Sequence, residues 1–266
     1  MHDVELQHVL VDGRRVAFRR AGRGPVVVLL HGAVSDGREW LPLLTDLLED
    51  ADVLALDIPG CGGSDDPPSG STLADLADVV AGAVQALHLG PVHLGGLSFG
   101  GGLALQVAIR HPSLVRSLVL FSAYAGWAGS LSPEEVSARR AWARSFLEGP
   151  PVDPDQVVPG LLGKPLPPEL ADLLAQAHAA HRPGPTLVLL DAFADADLRA
   201  ELADVRCPTL VVHGELDERA PRAVANGLHR GIPGSRLVVL PGVGHMVTLE
   251  ARAGTAALMR EVVSDD

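Results

Sequence analysis

Aromatic residues are scarce in this chain: nine in 266 residues, 3% of the total. The core therefore has to be built from aliphatic side chains, and the few large rings stand out by position. Cysteine occurs twice, as Cys61 and Cys207, which excludes a disulfide framework and any cysteine-rich metal site. Each reads as a small apolar residue. Lysine occurs once, at Lys164, and with a net charge of −12 the chain lacks the basic face that a nucleic-acid partner requires. Long apolar runs are missing as well. The longest strongly apolar stretch, Val26 to Leu30, is far too short for a bilayer, so no membrane association is expected. The opening residues MHDVELQHVLVDGRR carry acids and no apolar segment of the kind a secretory leader needs. A soluble, cytoplasmic protein is the expectation.

What is present is enough apolar material for a large core: 47% hydrophobic against 20% charged residues. Asp12-Gly13 between the β-prone stretches Val4–Val11 and Arg14–Arg20 predicts a hairpin. Pro25–Leu30, Asp52–Asp57, Val92–Leu94, Leu118–Phe121 and Pro208–His213 are short, continuously apolar runs. Such runs suit strands buried on both faces. Helical spacing recurs at Trp40–Glu49, Thr72–Leu89 and Gly101–Arg110, the second with Ser71 or Thr72 as N-cap and Asp75 near the capping-box position. After Phe121 the alternation stops. Proline-punctuated helical stretches follow at Pro133–Glu148, Asp153–Leu162, Pro168–His181 and about Pro185–Leu202, the last absorbing the strand-like run Thr186–Leu190. Ala220–His229, a last strand at Arg236–Leu240 and a terminal helix at Leu249–Val263 complete the chain. The pattern predicts an α/β fold, a mostly parallel sheet flanked by helices. Its core comprises residues 1–122 and 206–266, and residues 123–205 form an inserted helical cap.

Gly96-Leu97-Ser98-Phe99-Gly100 fits G-x-S-x-G, and it has the required setting of a strand before and a helix after. The five-residue pattern alone is equally well explained as ordinary glycine turn chemistry. A serine hydroxyl is a weak nucleophile unless a base lies within hydrogen-bond reach and a carboxylate orients that base. Downstream, Asp217 lies in Gly214-Glu-Leu-Asp217, just past a buried strand, and His245 lies in Pro241-Gly-Val-Gly-His245, past the last strand. Both stand at the carboxyl ends of strands, where open α/β sheets hold their sites.

With these residues the chain resembles the α/β-hydrolase fold family over essentially its whole length. Leu29-Leu-His31-Gly32-Ala33 is similar to the family's oxyanion-loop segment, and Asp57-Ile-Pro-Gly-Cys-Gly-Gly-Ser64 to its D-x-P-G-x-G-x-S loop. The resemblance implies Ser98 as nucleophile, His245 as general base and acid, Asp217 as the orienting carboxylate, and an oxyanion hole formed by the N–H groups of Ala33 and Phe99. It implies no cofactor and no metal. The family pattern favours Asp217 over its neighbours Glu215 and Glu218, which read as solvated loop residues. His213 and His93 read as packed histidines, His31 as a brace for the oxyanion loop, and His178 and His181 as surface residues.

Tyr124, Trp127, Trp142, Phe146 and Phe193 concentrate in the inserted block, with Phe99 in the turn itself. They are equally consistent with cap-to-core packing and with an apolar substrate pocket, to which Met246 also belongs. The expected reaction is hydrolysis of a carboxylic ester or lactone of a small, mostly apolar molecule. Alternatives are carbon–carbon bond hydrolysis of a diketone-type substrate, or a non-hydrolytic receptor or biosynthetic role on the same scaffold. The partner expected is a small molecule; the sequence sets no oligomeric state and leaves a homodimer open.

Overall fold

The computed structural model describes residues 4–148 and 160–264. Eight strands form one sheet in the order β1-β2-β4-β3-β5-β6-β7-β8. They are β1 (Leu6–Val11), β2 (Arg14–Gly22), β3 (Val26–Leu30), β4 (Asp52–Leu56), β5 (Val92–Leu97), β6 (Val115–Phe121), β7 (Thr209–Gly214) and β8 (Arg236–Leu240). β1 and β2 pair antiparallel, and β2 joins β4 antiparallel; every pairing from β4 across to β8 is parallel. The hairpin turn sits where Asp12-Gly13 predicts it, and both residues have positive φ, 50° and 80°, as a type I′ turn needs.

The parallel strands are apolar on both faces because helices cover both. Along β3, Val28 and Leu30 join one core cluster and Val27 and Leu29 the other, and β4 splits the same way. α2 (Leu73–Ala86) and α3 (Phe99–Arg110) lie on the first face; α1 (Leu41–Leu47) and α9 (Arg252–Ser264) lie on the second. α2 starts with a full capping box, Thr72 accepting from the Asp75 N–H and Asp75 accepting from that of Thr72.

Between β6 and β7 come α4 (Pro133–Glu148), α5 (Pro168–Ala179), α6 (Pro183–Asp195) and a 3-10 segment, Arg199–Asp204. No strand occurs in this insertion among the described residues. The helix expected over Asp153–Leu162 lies mostly outside them, and its last three residues, Gly160 to Leu162, are not helical. α7 (Arg222–Gly231) packs beside β7 and β8. The terminal helix expected as one piece is two, α8 (Val247–Glu250) and α9, because Ala251 leaves helical geometry at φ −122°.

The strand order reverses around β3. The loop after β3 and the turn after β5 thereby meet at adjacent strand ends, the position where open α/β sheets leave a crevice.

Candidate active site

One residue, Ser98, separates β5 from α3. That leaves the chain no room for a gradual turn, and Ser98 sits at φ 54°, ψ −111°. This conformation costs an L-residue about 1–3 kcal/mol and persists only where the surroundings enforce it. The flanking glycines show how. A Cβ on Gly96 would stand 2.2 Å from the Gly100 carbonyl oxygen, and one on Gly100 would stand 2.2 Å from that of Leu30. The turn is pressed against itself and against β3, and both positions need glycine.

Asp217 follows β7 and His245 follows β8. The His245 ring nitrogen Nδ1 lies 2.9 and 3.0 Å from the two Asp217 carboxylate oxygens, in a pair almost sealed from solvent. A carboxylate can only accept, so Nδ1 carries a proton, and in the neutral ring that leaves Nε2 with the lone pair. Asp217 Oδ1 also accepts the N–H groups of Arg219 and Ala220 at 2.9 and 2.8 Å. Burial by itself would raise the Asp217 pKa. The hydrogen bond and charge of His245 and the Ala220 N–H outweigh it and hold the carboxyl below its ordinary value. Glu215 does another job, accepting the Gly242 N–H at 2.9 Å and so shaping the turn that leads to His245. Glu218 lies in the open beside Gly160.

Ser98, His245, Phe99, Ala33 and Met246 line one cavity, together with Tyr124, Trp127, Trp142 and Phe193 from the insertion and its approach. Phe193 is the hub of the rings, with centroids 5.0 Å from Phe99, 5.8 Å from Trp127 and 6.0 Å from Tyr124. Phe146 is not on the cavity wall. It stacks behind Trp142, 5.1 Å away and within 7° of parallel, and supports that ring from outside. The cavity has a volume of about 70 Å³. That is small beside the several hundred Å³ typical of sites for drug-sized ligands.

Ala33 follows Gly32 on the loop after β3, and Phe99 is the first residue of α3, where a helix leaves its N–H groups without intrahelical acceptors. The loop after β3 is braced from below. His31 donates from Nδ1 to the Gly32 carbonyl at 2.8 Å and accepts the Ile58 N–H at Nε2 at 3.0 Å, and burial keeps the ring neutral. Asp57 accepts the N–H groups of Gly37 and Gly63, while the Ser64 hydroxyl donates to the Asp57 carbonyl. Val34 completes the loop at φ 61°, a rare conformation for a β-branched residue.

Besides the apolar Val34, Leu97, Leu161 and Leu190, four ionisable wall residues escaped the sequence reading: Glu39, Arg139, His178 and Arg219. His178, read there as a surface residue, is 8% exposed, and burial draws its pKa down to about 4. The signal existed. Leu170, Leu173, Leu174, Ala177 and His178 make the buried stripe of α5 at i, i+3, i+4, i+7, i+8 spacing. Arg139 lies between Val136 and Ala143 on the inward side of α4 in the same way. Glu39 stands in a 3-10 turn, Gly37–Trp40, accepts the Gly32 N–H at 3.3 Å, and has its pKa raised to about 7 by burial.

The insertion is tied directly to the loop that carries His245. The His245 N–H donates to the Leu161 carbonyl at 3.0 Å. Glu250 Oε2 accepts the N–H groups of Gly163, Lys164 and Gly244 at 2.9, 3.2 and 3.0 Å.

Among the described residues no group of three His, Cys, Asp or Glu side chains is placed to hold a metal ion. No helix among them is long and apolar enough to cross a membrane.

Comparison with known proteins gives a consistent picture. Residues 27–258 match the sequence model of the Alpha/beta hydrolase family. The chain is 34% identical over 251 residues to a pimeloyl-[acyl-carrier protein] methyl ester esterase of Aeromonas hydrophila, covering 86% of this chain and 92% of that one. It is 30% identical over 275 residues to a 2-hydroxymuconate semialdehyde hydrolase of Pseudomonas sp. strain CF600, covering 97% and 94%. Among solved structures, a thermophilic esterase from Thermogutta terrifontis superimposes with a TM-score of 0.87 at 29% identity, covering 97% of this chain and 98% of that one.

Proposed function

The chain belongs to the alpha/beta hydrolase family, and from that premise we propose that it hydrolyses a carboxylic ester or lactone of a small molecule through an acyl-enzyme on Ser98. The observation that carries the reading is the Asp217–His245 pair, locked in one tautomer, sharing a cavity with a serine held in a strained turn.

In this mechanism His245 Nε2 takes the Ser98 hydroxyl proton as Oγ attacks the carbonyl carbon. Asp217 keeps its charge and stabilises the imidazolium. The N–H groups of Ala33 and Phe99 meet the oxyanion; each such donor is worth roughly 10²–10³ in rate. His245 then returns the proton to the departing alkoxide, and water, activated by the same nitrogen, releases the acid and restores Ser98. No step uses a cofactor. The insertion acts as a cap: its rings shield the oxyanion from water and meet the acyl group.

The test is hydrolysis of p-nitrophenyl acetate and butyrate, with fluorophosphonate labelling read by intact mass, on wild type and Ser98→Ala. Turnover with a single adduct that vanishes in Ser98→Ala is the expected result. Unchanged turnover in the variant defeats the assignment. The similarity to a semialdehyde hydrolase supports a second reading, carbon–carbon bond hydrolysis by the same three residues. Labelling without ester turnover would favour it.

A further inference from the structure

The cavity holds more positive charge than the proposed chemistry uses. Arg139, on α4, and Arg219, two residues after Asp217, both line it with Ser98. The chain has acids to spare, at a net charge of −12, and it pairs other arginines freely. Arg140 and Arg144, on the same helix as Arg139, meet Asp191 and Asp195 of α6 at 2.5–3.2 Å. Arg139 turns the other way. Its guanidinium donates to the Tyr124 hydroxyl at 3.1 Å and the Arg219 carbonyl at 2.6 Å, both neutral, and lies 5.6 Å from the ring centres of Tyr124 and Trp127. The Arg219 guanidinium lies 5.4 Å from the centre of Trp142.

Among the described residues neither guanidinium has a carboxylate within ion-pair distance. The acids whose charge reaches them are committed elsewhere. Asp217 accepts from His245 and two backbone N–H groups, and Glu135 accepts the Ser132 N–H. A guanidinium drawn out of water without a counter-charge is costly, and the cost is removed when an anion arrives. Both terminal nitrogens of Arg139 already hold neutral oxygens, whereas the Arg219 guanidinium finds no acceptor among the described residues and lies beside the flat Trp142 ring, a geometry suited to a planar group that accepts two hydrogen bonds at once.

We propose that Arg139 and Arg219 form an anion subsite of the catalytic cavity, and that the natural substrate carries a carboxylate in addition to the bond that is cleaved. The subsite rests on the Ser98 reading for the bond broken but not for binding. An ester of this class, cleaved at its other end, gives a dicarboxylic acid or a hydroxy acid, so the enzyme serves reactions that make such esters or consume such acids.

The experiment compares kcat/KM for monoethyl adipate and ethyl hexanoate, by titration of released acid, in wild type, Arg139→Gln and Arg219→Gln. Calorimetry measures adipate binding to Ser98→Ala, with and without each arginine change, and thermal melts confirm folding. The expected result is a wild-type preference for the anionic ester. The anionic-to-neutral ratio then falls roughly 10- to 100-fold in each Gln variant, through KM, as charged hydrogen bonds are lost. Equal kcat/KM for the two esters, with no adipate binding to Ser98→Ala, overturns the proposal. Inorganic phosphate binding in place of adipate overturns the choice of carboxylate. Arginine-dependent adipate binding without turnover of either ester sustains the subsite and defeats the ester reading instead.

Discussion

The two walls of the cavity are built by different physics. On the sheet side, Ser98, Asp217 and His245 are held by backbone: a one-residue turn, N–H groups on the Asp217 carboxylate, and glycines packed to van der Waals limits. On the insertion side the wall is made of side chains, with Phe193 against Trp127, Trp142 stacked on Phe146, and ion pairs such as Arg140–Asp195 on the outer surface. Backbone constraints fix positions to fractions of an ångström and tolerate little change. A side-chain wall can be rebuilt residue by residue. On the proposed mechanism the difference would separate reaction from selectivity, and it can be tested from either side.

The largest effect belongs to the sheet side. Ser98→Ala should lower ester turnover by roughly 10⁴- to 10⁶-fold with an unaltered thermal melt. Asp217→Asn should follow at up to about 10⁴-fold in kcat, because an amide can present its NH₂ to Nδ1 and impose the wrong tautomer. Both are read from steady-state rates.

On the insertion side, stability should respond before chemistry does. Phe193→Ala should cost about 3–5 kcal/mol in urea unfolding, as the hub of the ring cluster is removed. It should also shift the preferred acyl length on a p-nitrophenyl ester series, whereas an unchanged series would place the acyl group elsewhere. Glu39→Gln lies at the seam between the walls. The Glu39 pKa is raised from 4.5 to about 7, so the folded chain binds the proton more tightly than the unfolded one. Its contribution is therefore greatest below pH 4.5 and is lost as pH rises through 7, by about 3 kcal/mol. Urea unfolding at pH 5 and pH 8 should show that loss in wild type, and a smaller one in Glu39→Gln. The smallest effect is expected from Arg140→Gln, whose part-exposed ion pairs should cost less than about 1 kcal/mol.

The same contrast decides what was legible in the sequence. The hairpin at Asp12-Gly13, the Thr72–Asp75 box and the turn around Ser98 are local devices, readable because the residues that act together are neighbours. α4 spans the predicted Pro133–Glu148. α3 begins at Phe99, two residues earlier than its spacing suggests, because the turn before it is a single residue. Asp217 and His245 could be placed because each follows a recognisable buried strand. The wall opposite had no such guide. Whether Trp142 or Phe146 faces the cavity depends on how α4 is rotated against α6, and a heptad of mixed arginines and small residues does not fix that rotation. Arg219 offered no pattern beyond its nearness to Asp217, and its exposure to the cavity follows from the Tyr124 and Arg139 contacts to its carbonyl.

Glu250 gathers three backbone N–H groups, two from the segment at 163–164 and one from the loop ahead of His245, onto a single oxygen. Mechanically that oxygen is a rivet. The strip of chain at 161–164 and the loop that carries His245 are one part, and lifting the first disturbs the second.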